Sequence, residues 1–365
     1  MRILFVAAPM QGHLLPLIPL AAACRDAGHE VVLASGGLPD GPAGLRLHDI
    51  GARFSLQRTA LRITLRHPRA MVNEMNGRGG SAMVGELFGR ASFDLLDPLL
   101  RLAGRERPDL IVYDSLGEAG ALLAGRIGVP SVLHESTLWP ADDLFRAVSQ
   151  SSGMRKHDVP APDLTITITP PGLDGPHPGR PMRPVPFGGD GEVPPWLLSP
   201  SERPRVLVSR STVQGPNDGD PSAAVVAAAP GVDAEFVLVR PPRSVTRKPL
   251  PGNVRVVPRV PLDRVMPYAA GYVHHGGAGS VLNGLSAGVP QLVVPGAGDR
   301  RHNAGLVARR GAGLAVEAKA ITAGHLTRLI GDPDLRAAAR ELSAEIAAMP
   351  APETVVPELG ALVRT

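Results

Sequence analysis

Gly271-Tyr-Val-His-His-Gly-Gly-Ala-Gly-Ser280, continuing to Pro290-Gln-Leu-Val-Val-Pro-Gly-Ala-Gly-Asp-Arg300, reads as strand, glycine loop, helix and strand. Tyr272 and Val273 end a short strand. Gly276, Gly277 and Gly279 let the backbone approach a neighbour closely. Ser280 to Ala287 reads as the helix and Gly288 as its stop. Gln291 to Val294 is the next strand, running into a loop that carries Asp299 and Arg300. A helix opened by glycines offers unpaired N–H groups at the positive end of its dipole, and that suits phosphate. The loop matches neither GxGxxG nor the P-loop pattern. The glycines alone leave two readings, a phosphate cradle or tight packing of strand on helix.

Working outward, the same alternation of strand and helix fills both halves of the chain. Arg2 to Ala8 is a near-continuous apolar run, as in a strand buried on both faces. Pro9 to Gly12 is a loop, His13 begins a helix running to about Ala27, and Glu30 to Ala34 is the second strand. Strand, helix and strand within about 35 residues make a βαβ unit and imply a parallel sheet. Leu45 to Ile50, Asp109 to Tyr113, Val129 to Leu133 and Leu164 to Ile168 read as further strands, and Gly117 to Ile127 as a helix. A second series begins at Arg205, with strands at Val206–Val208, Glu235–Val239 and Val254–Val257. Helices are expected over Ile321–Ile330, Leu335–Met349 and the tail from Glu353 to Val363. The stretch from Pro170 to Pro204 is too rich in proline and glycine for regular structure and reads as a connection. Two series of βα units imply an α/β protein of two Rossmann-like domains, where ligands bind at the carboxyl ends of the strands. His13, Asp114, Ser209, Thr212 and the His275–Ser280 loop all follow predicted strand ends, so the sequence predicts one shared cleft.

Several of these residues carry chemistry. His13, at a helix N-terminus, is a general-base candidate, because the dipole disfavours the protonated ring and a neutral imidazole can take a proton from a hydroxyl. The alternative is a polar cap. Asp114 can fix the tautomer of such a base, or cap the helix that follows. His275 and Ser280 can donate to a diphosphate. His274, one residue away on a strand, points to the opposite face and reads as structural. Asp299 can accept from sugar hydroxyls. Met71, Met75, Met83, Phe88 and Phe93 lie in an irregular helical stretch from Phe54 to Leu102. It is either core or an apolar pocket for a flat ligand. Asn217-Asp-Gly-Asp220 has the look of a metal-holding Asp-x-Asp, but flanking prolines make it a solvated turn, and no metal is predicted.

Composition narrows the classes. At 365 residues the chain should form about two domains. The net charge of +4 is dispersed and lysine occurs only at Lys156, Lys248 and Lys319, so no nucleic-acid partner is indicated. One cysteine, Cys24, excludes an internal disulfide and fits a reducing cytoplasm, the expected location. No signal peptide opens the chain, and no apolar stretch approaches the roughly 18 residues of a membrane span.

Taken together, Gly12-His13, Ile111-Val-Tyr-Asp114, His274-His-Gly-Gly-Ala-Gly-Ser280, Gly288-Val-Pro-Gln291, Asp299, Ile330-Gly-Asp-Pro-Asp334 and Glu345-Ile-Ala-Ala-Met-Pro350 resemble the GT-B glycosyltransferases of family 1. The likeness is strongest to actinomycete enzymes that glycosylate polyketides and other natural products, including enediyne (calicheamicin-type) members. It implies two Rossmann-like domains facing across a cleft. Residues 1–185 would bind the acceptor, 186–204 would link, 205–349 would bind the nucleotide sugar, and a helix in 350–365 would cross back to the first domain. It implies inverting, metal-independent transfer, without a cofactor, from a nucleotide diphosphate sugar, thymidine-linked in the closest group, to a hydroxyl of an apolar small molecule. His13 would be the base and Asp114 its orienting partner. Ser209, Thr212, His275, Ser280 and the loop residues Gly277, Ala278 and Gly279 would meet the phosphates. Gly12, Arg259, Val260, Asp299 and Arg300 complete the donor set, and Met71, Met75, Phe88 and Trp139 stand for the acceptor side. Three positions depart from the family: Arg300 where glutamine is usual, Arg259 where tryptophan often stacks on the base, and Ser211 for a common glycine. A sugar-nucleotide epimerase of the same fold and a non-catalytic nucleotide-sugar-binding auxiliary protein remain as alternatives. The oligomeric state is left open, a homodimer included.

Overall fold

Unbroken runs of aliphatic residues form parallel strands here, because a strand covered by helices on both faces has no solvent side on which to place a polar residue. The computed structural model describes residues 1–36, 42–51, 61, 64–65, 69, 72–73, 80–151, 159–211 and 219–363. The described chain divides into two compact units. One comprises Met1–Thr169, Pro176–Pro184 and Met349–Thr365, and the other Pro170–Gly175 and Val185–Ala348.

In the first unit β1 (Arg2–Val6), β2 (Glu30–Ser35), β3 (Arg46–Asp49), β4 (Leu110–Asp114), β5 (Ser131–His134), β6 (Leu164–Thr167) and β7 (Arg180–Pro181) form one sheet in the order β3-β2-β1-β4-β5-β6-β7. All its pairings are parallel. The chain order reverses between β1 and β4, whose ends are level, with Val6 opposite Tyr113. A reversal of this kind opens a crevice beyond the strand ends. After β1 come α1 (Gln11–Leu14) and α2 (Ile18–Asp26), separated by a 3₁₀ turn over Leu15–Leu17. Pro16 and Pro19 explain the break, since each lacks an N–H and is tolerated only in the first turn of a new segment. Cys24, on α2, is fully buried, and burial pushes its thiol up to about 12. α3 (Gly80–Glu106) and α4 (Glu118–Ile127) flank β4 in sequence, followed by α5 (Ala141–Ser151) after β5. Gly120 lets α4 lie on the sheet: a Cβ there would meet the Cβ of Tyr113 at 2.6 Å.

The second unit repeats the plan with β8 (Arg205–Ser209), β9 (Glu235–Val239), β10 (Val254–Val257), β11 (Gly271–His274), β12 (Gln291–Val293) and β13 (Gly313–Ala315), ordered β10-β9-β8-β11-β12-β13. Here the reversal falls between β8 and β11. α6 (Ser222–Ala228), α7 (Ala278–Ser286), α8 (Arg300–Arg309), α9 (Ala323–Gly331) and α10 (Pro333–Ala348) belong to this unit. The final helix, α11 (Pro352–Leu362), lies in the first unit and packs on α2.

Two features differ from the sequence reading. Pro170 to Pro204 is not structureless: it holds a helical turn at Pro171–Asp174, β7, and a 3₁₀ turn at Pro195–Leu198. The last of these is held by Trp196, against which the guanidinium groups of Arg205 and Arg255 sit at 5.4 and 4.9 Å. Helices α5 and α8 and strand β13 were not anticipated. In α8, Arg-Arg-His-Asn at the start hides the buried face made by Asn303, Ala304, Leu306 and Val307. Most of the Phe54–Gly79 stretch, including Met71 and Met75, lies outside the described residues.

Candidate active site

In the first unit the reversal point is occupied by His13 and Asp114. Asp114 ends β4 and is completely buried. Its Oδ1 accepts from the Ala8 N–H at 2.9 Å, and its Oδ2 accepts from the Leu116 N–H and the Ser136 hydroxyl, both at 3.2 Å. His13 Nδ1 lies 2.6 Å from the same Oδ2. A carboxylate can only accept, so the ring proton sits on Nδ1 and the lone pair on Nε2. The turn that makes this possible needs Gly117, where a Cβ would lie 2.8 Å from Asp114 Oδ1. His13 keeps 14% of its side chain exposed, enough for a ligand to reach the ring. Beside it is a buried apolar cluster of Ala8, Met83, Val84, Phe88, Leu116, Leu144 and Val148, with the partly buried Met10 and Trp139 at its margin. The Phe88 ring centre is 6.4 Å from that of His13. Gly12 faces open space, with nothing within 4 Å of a Cβ placed there.

Ser136 went unassigned in the sequence, although it lies two residues beyond β5 and obeys the same strand-end rule as His13 and Asp114. His134, which ends β5, is wholly buried and donates from Nδ1 to the Glu135 carbonyl at 2.6 Å.

In the second unit the reversal point is built from β8, β11 and the loop opening α7. Tyr272 is the hub. Its phenol meets the Ser209 hydroxyl at 2.6 Å and also hydrogen-bonds Ser280, which ties the ends of β8 and α7 together. His274 stacks on Tyr272 with ring centres 4.4 Å apart. Its Nδ1 accepts from the Gly276 N–H at 3.1 Å and its Nε2 donates to Gln291 Oε1 at 2.7 Å, so the ring is a neutral strut. Gln291 in turn donates to the Val281 carbonyl at 3.1 Å. His275 faces the other way, with Nδ1 buried and Nε2 over Gly277, whose absent Cβ would lie 2.7 Å from it. α7 has no side-chain cap, and Gly279, exposed in its first turn, has nothing within 4 Å of an added Cβ. Ala278 is buried. An uncapped first turn with small residues is what an anion requires of a helix N-terminus.

Asp299 precedes α8, and its Oδ2 accepts from Asn303 Nδ2 at 2.8 Å. The same amide donates to the Gly276 carbonyl at 2.8 Å, so Asn303 holds the acid in register with the glycine loop. Arg300 donates from Nη2 to the Ser211 hydroxyl at 2.9 Å. Arg259 is exposed, whereas the Val260 side chain is core, leaving only its backbone for a ligand. Thr212, Asn217 and Asp218 lie outside the described residues. Asp220 accepts from the Ser222 N–H at 2.8 Å and pairs with Arg210 at 3.5 Å, the arrangement of a turn. Among the described residues no cluster of three or more His, Cys, Asp or Glu is placed to hold a metal, and no helix is long and apolar enough to cross a membrane.

Two predictions arise from this geometry. Gly276 has φ +83°, and a Cβ there would lie 3.0 Å from both the Arg300 carbonyl and Val293 Cγ1. Gly276→Ala is expected to cost about 1–3 kcal/mol of stability, measured by urea unfolding. The second concerns pH. Burial pushes His134 and His274 down to about 4. Burial, then Arg300, His274 and Arg240, hold His275 well below the usual imidazole range. The unfolded rings bind protons near 6.5 and the folded ones do not, so stability is full above about pH 6.5 and falls as pH drops toward 4. His134 and His274 should each remove about 3 kcal/mol over that window. The urea midpoint should therefore fall steadily between those limits, and a flat midpoint would show that the folded rings take up protons.

Residues 22–211 match the family described as erythromycin biosynthesis protein CIII-like, N-terminal domain, and residues 223–362 match its C-terminal domain. The chain is 35% identical to elloramycin glycosyltransferase ElmGT of Streptomyces olivaceus, over 98% of this chain and 97% of that one. It is 30% identical to TDP-daunosamine transferase DnrS of Streptomyces peucetius, over 98% and 96%. Among solved structures, the glycosyltransferase SnogD from Streptomyces nogalater superposes with a TM-score of 0.81 at 32% identity, covering 99% of this chain and all of that one. SsfS6 of Streptomyces sp. SF2575, solved with thymidine diphosphate, gives 0.80 at 27%, covering 99% of each. Full-length likeness at this level, on two parallel sheets with the same paired reversal points, leaves one assignment: the chain belongs to the erythromycin biosynthesis protein CIII-like family and is a glycosyltransferase of GT-B fold.

Proposed function

We propose that the chain transfers a deoxysugar from a thymidine diphosphate donor to a hydroxyl of a natural-product aglycone, with inversion and without a resident metal or cofactor. The observation that carries this reading is the 2.6 Å bond between His13 and a fully buried Asp114. His13 Nε2 takes the acceptor's proton as the acceptor oxygen attacks the anomeric carbon. The bond from that carbon to the diphosphate breaks, and its electron pair leaves with the diphosphate. Asp114 stabilises the imidazolium that forms. The partly buried Met10 and Trp139, at the margin of the apolar cluster beside His13, suit a flat, greasy acceptor. The first turn of α7, with His275 and Ser280, suits the departing diphosphate, and Asp299 suits sugar hydroxyls. Relatives support the donor and acceptor classes: DnrS is named for a TDP-sugar, and the rhamnosyltransferase SpnG has been solved with thymidine diphosphate and with spinosyn aglycone. A single, buried thiol supports a cytoplasmic setting for the proposed reaction.

Direct displacement reverses the anomeric configuration. Proton NMR of donor and product should give opposite configurations at the anomeric carbon, with one thymidine diphosphate released per sugar transferred. Retention would overturn the single-displacement mechanism.

A further inference from the structure

An arginine stands beyond the carboxyl end of four strands of the second sheet: Arg210 after β8, Arg240 after β9, Arg259 after β10 and Arg300 after β12. In a parallel sheet these ends share one edge, the edge at which ligands bind. Two of the four meet at one buried residue. Arg300 Nη2 donates to the Ser211 hydroxyl at 2.9 Å and Arg240 Nη2 to the Ser211 carbonyl at 3.4 Å. Arg240 adopts φ +52°, a left-handed conformation that a non-glycine residue holds only at a cost. Burial lowers its pKa, and the charges of Arg210 and Arg259 lower it further. Positive charge is thus concentrated where the fold would be more stable with it spread out. Burial, then the charges of Arg300, His274 and Arg240, hold the His275 ring well below the usual imidazole range, so it is neutral. A neutral imidazole can hydrogen-bond a phosphate but brings it no charge.

We infer that Arg240 and Arg300 form a guanidinium clamp at Ser211 which holds the diphosphate of the donor and takes up the charge it gains on leaving. Guanidinium suits this task because its planar fork meets two phosphate oxygens at once and its charge does not titrate. The clamp also joins two family departures into one device: Ser211 in place of glycine supplies the hydroxyl that seats Arg300, which stands in place of glutamine. The inference rests on the reading of the second unit as the donor-binding half.

The test is isothermal titration of the full-length protein with inorganic pyrophosphate, thymidine diphosphate and thymidine, at about 0.05 and 0.3 M salt. Arg240→Gln and Arg300→Gln should each weaken pyrophosphate and thymidine diphosphate by about 10- to 100-fold, the loss of a charge-assisted contact. Both should flatten the salt dependence and leave thymidine binding unchanged, a combination that a purely structural role would not produce. Ser211→Ala, which removes only the anchoring hydroxyl, should weaken pyrophosphate by roughly 3- to 10-fold and keeps the test open if a Gln variant does not fold. Wild-type protein that binds pyrophosphate but not thymidine diphosphate, with the variants weakened, would leave the clamp standing and sink the donor reading. Variants that bind pyrophosphate like the wild type, or wild type that binds none, would overturn the clamp.

Discussion

His13→Ala should lower kcat by about 10²- to 10⁴-fold, the usual contribution of a positioned general base, while the affinity for thymidine diphosphate stays within a few-fold of wild type. The split follows from where the residue sits. His13 belongs to the first unit, and the loop proposed for the diphosphate belongs to the second. The side chain is partly exposed and, among the described residues, hydrogen-bonds Asp114 and Ser136, neither bond belonging to the strand ladder, so its removal leaves the sheet intact. Steady-state kinetics with saturating acceptor measures the first effect and nucleotide titration the second. Near-wild-type turnover in this variant would remove His13 from the role of base.

Asp114→Asn should reduce turnover by a similar factor, about 10²- to 10⁴-fold, for a different reason. The substitution preserves shape. Its carbonyl oxygen can still accept from the Ala8 N–H, but its NH₂ would then face His13 Nδ1, the Ser136 hydroxyl and the Leu116 N–H. An amide that donates to Nδ1 forces the ring proton onto Nε2, the atom that must accept the proton of the acceptor hydroxyl. The base is present but in the wrong tautomer. The buried Leu116 N–H loses its acceptor as well, which should cost about 1–3 kcal/mol of stability. Thermal unfolding separates the two effects: a folded protein with intact nucleotide binding and little turnover is the expected result. Full activity would mean that Asp114 serves only as a turn-forming residue.

The sequence made the two βα series legible because buried parallel strands are written as uninterrupted apolar runs, as in Arg2–Val6 and Leu110–Asp114. His13, Asp114 and His275 could be picked out because they follow such runs. What stayed hidden depended on contacts between residues far apart in the chain. Ser136 reaches Asp114 from beyond the end of the neighbouring strand. Asn303 joins Asp299 to Gly276 from a helix whose polar opening masked it. Tyr272 looked like an ordinary strand residue, yet it couples Ser209 to Ser280. The link between Ser211 and Arg300 spans 89 positions, so two departures that looked independent turned out to be neighbours. Arg240 gave no signal at all, since a lone arginine after a strand is commonplace. Its meaning came only from the three others on the same sheet edge.

The central claim is that this chain joins a nucleotide-linked sugar to a hydroxylated natural product, using His13 as base. Mass spectrometry of reactions between the purified wild-type protein, a panel of thymidine diphosphate deoxysugars and a panel of polyketide aglycones tests it most directly. The account predicts at least one pair that yields a product heavier than the aglycone by one sugar residue, formed only when both substrates are present and at a rate that collapses in His13→Ala. Donor consumed at the same rate with no acceptor would instead reveal an epimerase or hydrolase. Donor that binds tightly but yields no product with any aglycone would mark a binding protein, and either result would contradict the account.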